Sequence, residues 1–191
     1  MATVGTERHP AVLRREDTGL IVVDVQEAFR PVIDAFDETV RNCGFLAAGF
    51  GALGRPVLVS EQYTKGLGHT VGELAERFPE GTEPVEKLRF SACGVEGFDQ
   101  QLADAGCSTW VVCGIETHVC VNQTVHDLIA RGHTVHVAAD AVSSRTPSNK
   151  AAGLEKMAAA GAHVTSAEMA LFELLEVAGT DEFKAISKMV R

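Results

Sequence analysis

Three features typical of other protein classes are missing from this sequence: a basic stripe, a long apolar run and an apolar N-terminal leader. The chain has 17 Lys and Arg against 26 Asp and Glu, a net charge of −9, which disfavours a nucleic-acid partner. No apolar stretch approaches the roughly 20 residues that cross a bilayer. Residues 1–17 lack the apolar centre of a signal peptide. We therefore expect no nucleic-acid or membrane partner and a cytoplasmic location.

The cysteines are few and lack the spacing of a metal or disulfide framework. There are five, at positions 43, 93, 107, 113 and 120, an odd number without a C-x-x-C pair. We therefore expect neither a complete disulfide framework nor a four-cysteine zinc site. Cys43, Cys107 and Cys113 stand among apolar neighbours, which predicts ordinary core positions for them.

The length and composition fit one soluble domain. The chain has 191 residues, of which 46% are hydrophobic and 23% charged, the balance of an ordinary globular protein. We expect a loosely held N-terminal tail at residues 1–17 and a single domain at residues 18–191.

Short apolar runs recur along the chain and are continuous rather than alternating, as in parallel strands covered on both faces. They lie at residues 20–23, 57–59, 110–113, 135–138 and, more weakly, 162–164. Amphipathic helical patterns separate them, and glycines at 54, 106, 132 and 161 stand where a helix would end ahead of a strand. This order predicts a doubly wound α/β fold with a parallel sheet.

Three reactive side chains fall where predicted strands end, the place where ligands bind in open α/β sheets. Asp24 follows the first strand, Lys87 ends a short extended piece near 84–87, and Cys120 lies between the strand at 110–113 and the next helix. A thiol at a helix start is favoured as thiolate. Asp24 would accept the thiol proton, Lys87 would favour the thiolate and orient Asp24, and Cys120 would attack a carbonyl carbon.

Each of these residues also has an ordinary structural interpretation. An aspartate at a strand end is often a cap or turn residue, and a lone lysine is normally a solvated surface charge. Cysteine fills small apolar gaps well. The placement of all three at one edge of the sheet favours the functional interpretation over these structural ones.

The segments around these residues resemble the isochorismatase-like cysteine hydrolase superfamily: V-V-D-V-Q at Asp24, Lys87 followed by Arg89-Phe90-Ser91, and G-I-E-T-H-V-C-V at Cys120. The likeness spans roughly residues 18–177. It implies a six-stranded parallel sheet with helices on both faces, an Asp24–Lys87–Cys120 triad and a homo-oligomer. It also implies a cis peptide bond between Ile115 and Glu116, with an oxyanion hole formed by the backbone N–H groups of Glu116 and Cys120.

The resemblance also indicates which members of this superfamily the chain looks like and which it does not. Its nicotinamidases carry an Asp-x-His pair that binds a metal, and the stretch Ser60-Glu61-Gln62-Tyr63-Thr64 lacks that pair. We therefore expect no metal and no cofactor. The chain looks most like the isochorismatase domain-containing hydrolases. Its cysteine favours acyl transfer over the vinyl-ether cleavage of true isochorismatases, which the resemblance implies can work without one.

Residues close to the triad in the sequence, and those of one long loop, are candidates for the walls of the substrate pocket. Residues 61–95 interrupt the strand–helix order with a long loop at 62–69, and long loops in compact domains border sites. We assign Gln26, Phe29, Tyr63, Thr64 and His118 to the substrate pocket. Core packing for Phe29, a local cap for Gln26 and a loop anchor for Tyr63 are the alternatives.

The sequence therefore predicts a cysteine-dependent hydrolase that cleaves a C–N bond of a small amide through an acyl-thioester. The alternatives are vinyl-ether hydrolysis, a non-catalytic protein on the same scaffold, and a thiol redox sensor that pairs Cys120 with Cys113 or Cys93.

Overall fold

The computed structural model describes residues 8–189 and contains six strands and eight α-helices within that range. The strands are β1 (Thr18–Val23), β2 (Val57–Gln62), β3 (Val85–Lys87), β4 (Thr109–Ile115), β5 (Thr134–Ser143) and β6 (His163–Thr165). They form one sheet in the order β3-β2-β1-β4-β5-β6, with every neighbouring pair parallel. The predicted doubly wound, six-stranded parallel sheet with helices on both faces is confirmed.

The helices are α1 (Phe36–Ala52), α2 (Thr64–Leu67), α3 (Gly72–Ala75), α4 (Glu96–Ala105), α5 (Asn122–Ala130), α6 (Pro147–Ala159), α7 (Ala167–Leu175) and α8 (Asp181–Met189). Successive residues of a strand point to opposite faces, so β4 serves two cores. Val111 and Cys113 pack with the apolar faces of α1, α7 and α8. Trp110 and Val112 pack with those of α4, α5 and α6. Burial on both faces explains why the strands read as continuous apolar runs.

The order of the strands reverses between β1 and β4, which lie side by side at the centre of the sheet. The chain builds outward from β1 through β2 to β3, then returns to β4 and builds outward on the other side. The crevice at such a reversal is where open α/β sheets bind ligands. Asp24 directly follows β1, and the turn that carries Cys120 directly follows β4.

Strand β5 is longer than the sequence predicts: it continues past the expected end to Ser143. A register shift in the β4–β5 ladder lets this extension pair with the end of β4, with Gly114 opposite Val142 and Ile115 opposite Ser143. The extension therefore brings the loop that follows β5 beside the turn that follows β4.

The described part of the predicted N-terminal tail is not loose. Leu13 is buried in the core, and its N–H donates to Glu173 Oε2 at 3.0 Å. Arg8 Nη1 donates to the Glu173 carbonyl at 3.0 Å. Apolar burial and these contacts with α7 fix residues 8–17 on the domain, whereas the rest of the predicted tail, residues 1–7, lies outside the described residues. Of the helices described, none is long and apolar enough to span a membrane.

Gly114 lies where the two central strands, β1 and β4, approach each other closely. Its φ is +113°, and a Cβ there would overlap the backbone of Val23 on β1. We expect Gly114→Ala to lower the free energy of unfolding by about 3 kcal/mol or more, because the methyl meets backbone that cannot move aside. Urea denaturation measures this. The control is Gly72→Ala, which meets nothing within 4 Å, and an equal loss in both variants would contradict the strand-contact explanation.

Candidate active site

Asp24 is a buried carboxylate held at the end of β1. Its backbone has a left-handed φ of +53°, and its N–H donates to the Ser60 carbonyl on β2 at 3.0 Å. Ser60 Oγ donates to Asp24 Oδ1 at 2.7 Å. Burial raises the pKa of the Asp24 carboxyl, and the charge of Lys87 opposes that rise. Asp24 is therefore a stronger base than a solvated carboxylate.

Lys87 ends β3 and is buried with Asp24. Its Nζ donates to Asp24 Oδ2 at 2.7 Å, which makes a buried ion pair. The same ammonium has further acceptors in Gln62 Oε1 at 2.7 Å, the Phe90 carbonyl at 2.9 Å and the Arg89 carbonyl at 3.2 Å. A buried ammonium is tolerated only with such a set of acceptors.

Cys120 lies in a π-helical turn, Thr117–Val121, that directly precedes α5. The thiol adjoins both Asp24 and Lys87. Burial and the Asp24 carboxylate raise the pKa of the Cys120 thiol to about 12, while Lys87 lowers it. The expectation of a resting thiolate is therefore wrong, because desolvation and a like charge outweigh the helix start.

The turn before Cys120 arranges its backbone amides unusually. The peptide bond between Ile115 and Glu116 is cis. The Glu116 carbonyl accepts from Val119 N–H at 3.0 Å and from Val121 N–H at 3.2 Å, and the Cys120 N–H between them is not one of its donors. Within residues 8–189 the Glu116 N–H meets no acceptor.

The loop after β5 and helix α6 hold this turn from outside. The Glu116 carboxylate, itself buried, accepts from Arg145 Nη2 at 3.0 Å, and His118 Nδ1 is hydrogen-bonded to Ser144 Oγ at 3.0 Å. A Cβ at Gly153 of α6 would lie only 3.0 Å from the Thr117 carbonyl oxygen. Glycine at this position allows α6 to lie directly against the nucleophile turn.

The structure places Gln26 outside the pocket wall. Its side chain is fully buried. Its Nε2 donates to the carbonyls of Gln62 at 2.9 Å and Gly68 at 2.6 Å, and its Oε1 accepts from Gln62 N–H at 2.8 Å. Gln26 is not available to a substrate, because both Nε2 donors are already used to fasten the loop after β2.

The other predicted pocket residues differ in their surroundings. Phe29 is half-buried against the core on the α1 side. Thr64 is tied to Glu86, which accepts from the Thr64 N–H at 2.8 Å and its hydroxyl at 2.6 Å. His118 is half-buried and bonded to Ser144 as described above.

A surface depression of about 300 Å³ lies beside β3 at Lys87, and its lining includes neither Asp24 nor Cys120. Tyr63, half-exposed, lines it together with Lys65, Glu86 and Leu88. Cys120 is only 6% exposed.

The stretch that lacks the Asp-x-His pair is held by hydrogen bonds of Glu61. Glu61 accepts from Thr70 N–H and its hydroxyl, each at 2.7 Å, and lies 2.9 Å from His69 Nδ1. In the part of the chain that the structure describes, no three His, Cys, Asp or Glu side chains group as metal ligands. The expectation of no metal or cofactor stays a prediction.

Sequence reasoning missed Ser60 and Arg145. Ser60 lies opposite Val23 in the β1–β2 ladder, so strand order, once known, places it beside Asp24. Arg145 follows a strand end, as the triad residues do, but its partner Glu116 lies on another strand–loop segment.

The fold and the buried Asp–Lys–Cys cluster define the class of protein: an α/β protein with a candidate active site at the central crevice. The isochorismatase domain matches residues 18–169, and this chain belongs to the isochorismatase family. The secreted isochorismatase effector Isc1 of Phytophthora sojae (strain P6497) is 38% identical over 176 residues, 90% of this chain and 83% of the relative. Isochorismatase domain-containing protein 2 of Danio rerio is 37% identical over 172 residues, 90% and 85% of the two chains.

Solved structures agree with the family. The MAR1 ribonuclease from Caenorhabditis elegans is 36% identical with a TM-score of 0.89, over 93% of this chain and 91% of that one. The YcaC gene product of Escherichia coli, described as an octameric hydrolase of unknown specificity, has a TM-score of 0.87 over 95% and 92% of the two chains. At 20% identity, YcaC shares the fold alone.

The raised pKa of Cys120 predicts how the thiol reacts with iodoacetamide. Because the thiol is protonated at neutral pH, the rate of Cys120 alkylation should rise about tenfold per pH unit from pH 7 to 10 without a plateau. In Asp24→Asn the neighbouring negative charge is gone, the pKa falls, and the rate at pH 8 should be about tenfold higher than in the wild type.

Peptide-resolved mass spectrometry measures this rate at Cys120. Asp104→Asn, which changes an exposed carboxylate on α4, serves as the control and should match the wild type. A wild-type plateau near pH 7 would contradict the raised pKa.

Proposed function

We propose that this member of the isochorismatase family is a cysteine hydrolase that cleaves a C–N bond of a small amide. The observation that carries the proposal is the meeting of the Cys120 thiol with the buried Asp24–Lys87 ion pair. A nucleophile, a base and a group that orients the base are the parts that covalent catalysis requires.

The first step forms the acyl-enzyme. Because the thiol rests protonated, its proton passes to Asp24 as the sulfur attacks the amide carbon and the carbonyl oxygen becomes an oxyanion. The oxyanion then collapses, the C–N bond breaks, and Asp24 returns the proton to the departing nitrogen. Ammonia or an amine leaves, and an acyl-thioester stays on Cys120.

The oxyanion is bound by the backbone N–H groups of Glu116 and Cys120 in this proposal. The free Glu116 N–H and the displaced amide of Cys120 in the turn support this role. Each such donor is typically worth about 3 kcal/mol in the transition state.

The second step releases the acid. A water molecule gives a proton to Asp24 as its oxygen attacks the thioester carbon. When the C–S bond breaks, Asp24 returns a proton to the sulfur, which restores the neutral thiol. Lys87 stays charged throughout and keeps Asp24 oriented between its two roles.

The burial of Cys120, which is only 6% exposed, supports a small substrate. In the proposal Phe29, Tyr63, Thr64 and His118 line its pocket, and Tyr63 also borders the depression beside β3. The charged residues Lys65 and Glu86 at the rim have opposite signs, so the rim does not select a net charge.

Vinyl-ether hydrolysis is a second candidate, favoured by one observation. Burial raises the pKa of Asp24, and a carboxyl with a raised pKa can also protonate a substrate as a general acid. This reaction would not need Cys120.

Of the two cysteines predicted to pair with Cys120 in a redox sensor, only Cys93 lies on the same side of the sheet. Cys113 packs in the core on the α1 side of the sheet, and Cys120 in the core on the other side. A disulfide between them would have to cross the sheet. Cys93 lies in the same core as Cys120, so any such pair would join Cys93 to Cys120.

The proposal also includes assembly and location. Leu88 is 74% exposed and Phe90 53% exposed beside the site, which supports a homo-oligomer that covers them.

The C. elegans neighbour is named a ribonuclease. RNA is not our proposed substrate, since a net charge of −9 disfavours it. A cytoplasmic location stays a prediction, since one relative is named a secreted effector.

The test is hydrolysis of a panel of small primary amides, followed by ammonia release and by hydroxylamine capture of the acyl group as a hydroxamate. We expect turnover in the wild type and a loss of at least about a thousandfold in Cys120→Ala, because the covalent step is removed. Cys107→Ala, at the opposite end of the sheet from the triad, is the control and should retain full turnover.

Other results would point elsewhere. Amide turnover that survives in Cys120→Ala would overturn the acyl-thioester, because the C–N bond would then be cleaved without the thiol. A panel without ammonia release, together with a peroxide-induced Cys93–Cys120 disulfide that reductant reverses, would favour the redox sensor.

A further inference from the structure

The Glu116 carboxylate poses an electrostatic problem in the proposed mechanism. Glu116 supplies an N–H to the oxyanion, and its own side chain is 6% exposed and acidic. A buried negative charge close to a developing oxyanion would raise the energy of the transition state. The carboxylate must therefore be neutralised or turned away during acyl transfer.

Arg145 does both. Its Nη2 donates to Glu116 Oε1 at 3.0 Å, and its backbone N–H donates to Oε2 at 3.4 Å, so both carboxylate oxygens point toward the loop after β5. Within residues 8–189 Arg145 is the only cation paired with Glu116. Its side chain is 62% exposed, so it does not contribute to the core.

The loop that carries Arg145 is itself fixed. Ser144 is fully buried, its hydroxyl is bonded to His118, and its carbonyl accepts from Asp34 N–H at 3.0 Å. Ser143 Oγ donates to the Asp34 carbonyl at 2.6 Å. The arginine is thus presented from a rigid base rather than from a free loop.

We propose that Arg145 is a positioning residue for acyl transfer: it holds and neutralises the Glu116 carboxylate so that the Glu116 N–H faces the oxyanion. The inference rests on the proposed function. It makes the arginine necessary for reactions that place negative charge on a carbonyl oxygen and dispensable for reactions of the thiol that do not.

Two reagents separate these cases. p-Nitrophenyl acetate acylates Cys120: the S–C bond forms, an oxyanion develops, and p-nitrophenolate leaves while Asp24 takes the thiol proton. Iodoacetamide alkylates the same sulfur at a CH₂ carbon, iodide leaves, and no oxyanion develops. The ratio of the two rates at one pH reports the oxyanion site apart from the reactivity of the thiol.

We expect Arg145→Gln to slow the acylation burst about tenfold or more and to change the alkylation rate less than about twofold, because burial, Asp24 and Lys87 set the pKa of the Cys120 thiol. Arg145→Lys should recover part of the burst. Adding Glu116→Gln to Arg145→Gln should recover most of it, since the uncompensated charge is then gone. Arg131→Gln, which breaks the comparable Arg131–Asp99 pair elsewhere, is the control.

Three results would overturn the inference. If acylation and alkylation fall together, Arg145 only supports the fold of the turn. If the double variant stays as slow as Arg145→Gln, charge compensation is not its role. If the wild type gives no burst while Cys120 still alkylates, acyl transfer itself fails, and this outcome is distinct from the other two.

Discussion

The buried ion pair between Asp24 and Lys87 is the interaction on which the rest of the site depends. Two opposite charges at 2.7 Å with almost no exposure are tolerated only where every remaining lone pair and proton finds a partner. That requirement explains why Ser60 and Gln62 come from β2 and two backbone carbonyls from the segment after β3. The parallel order β3-β2-β1 brings all of these groups to one edge of the sheet.

The same ion pair sets the character of the thiol. Burial and the Asp24 carboxylate raise the pKa of the Cys120 thiol, whereas Lys87 lowers it. In the proposed mechanism the proton therefore moves only when a substrate carbonyl is in place. Burial raises the pKa of Asp24, which makes its carboxylate a better acceptor for that proton.

Around this centre the fold builds two separate supports. The loop after β2 is fastened by Gln26 and borders the depression beside β3. The loop after β5 and the glycine face of α6 hold the turn that carries Cys120. The extension of β5 past its predicted end is what brings Ser144 and Arg145 to that turn. The relatives match this chain along most of both lengths, so the likeness extends over the whole domain rather than a single loop.

The sequence by itself determined the sheet class, the position of each strand, and the three residue types that meet at the crevice, because apolar runs and strand-end positions are local properties of the chain. It could not determine the charge state of Cys120, the framework role of Gln26, the packing of residues 8–17 or the pairing of Arg145 with Glu116. Those depend on desolvation and on partners far apart in sequence. Only the tertiary structure decides how much water a group loses and which distant charge stands beside it.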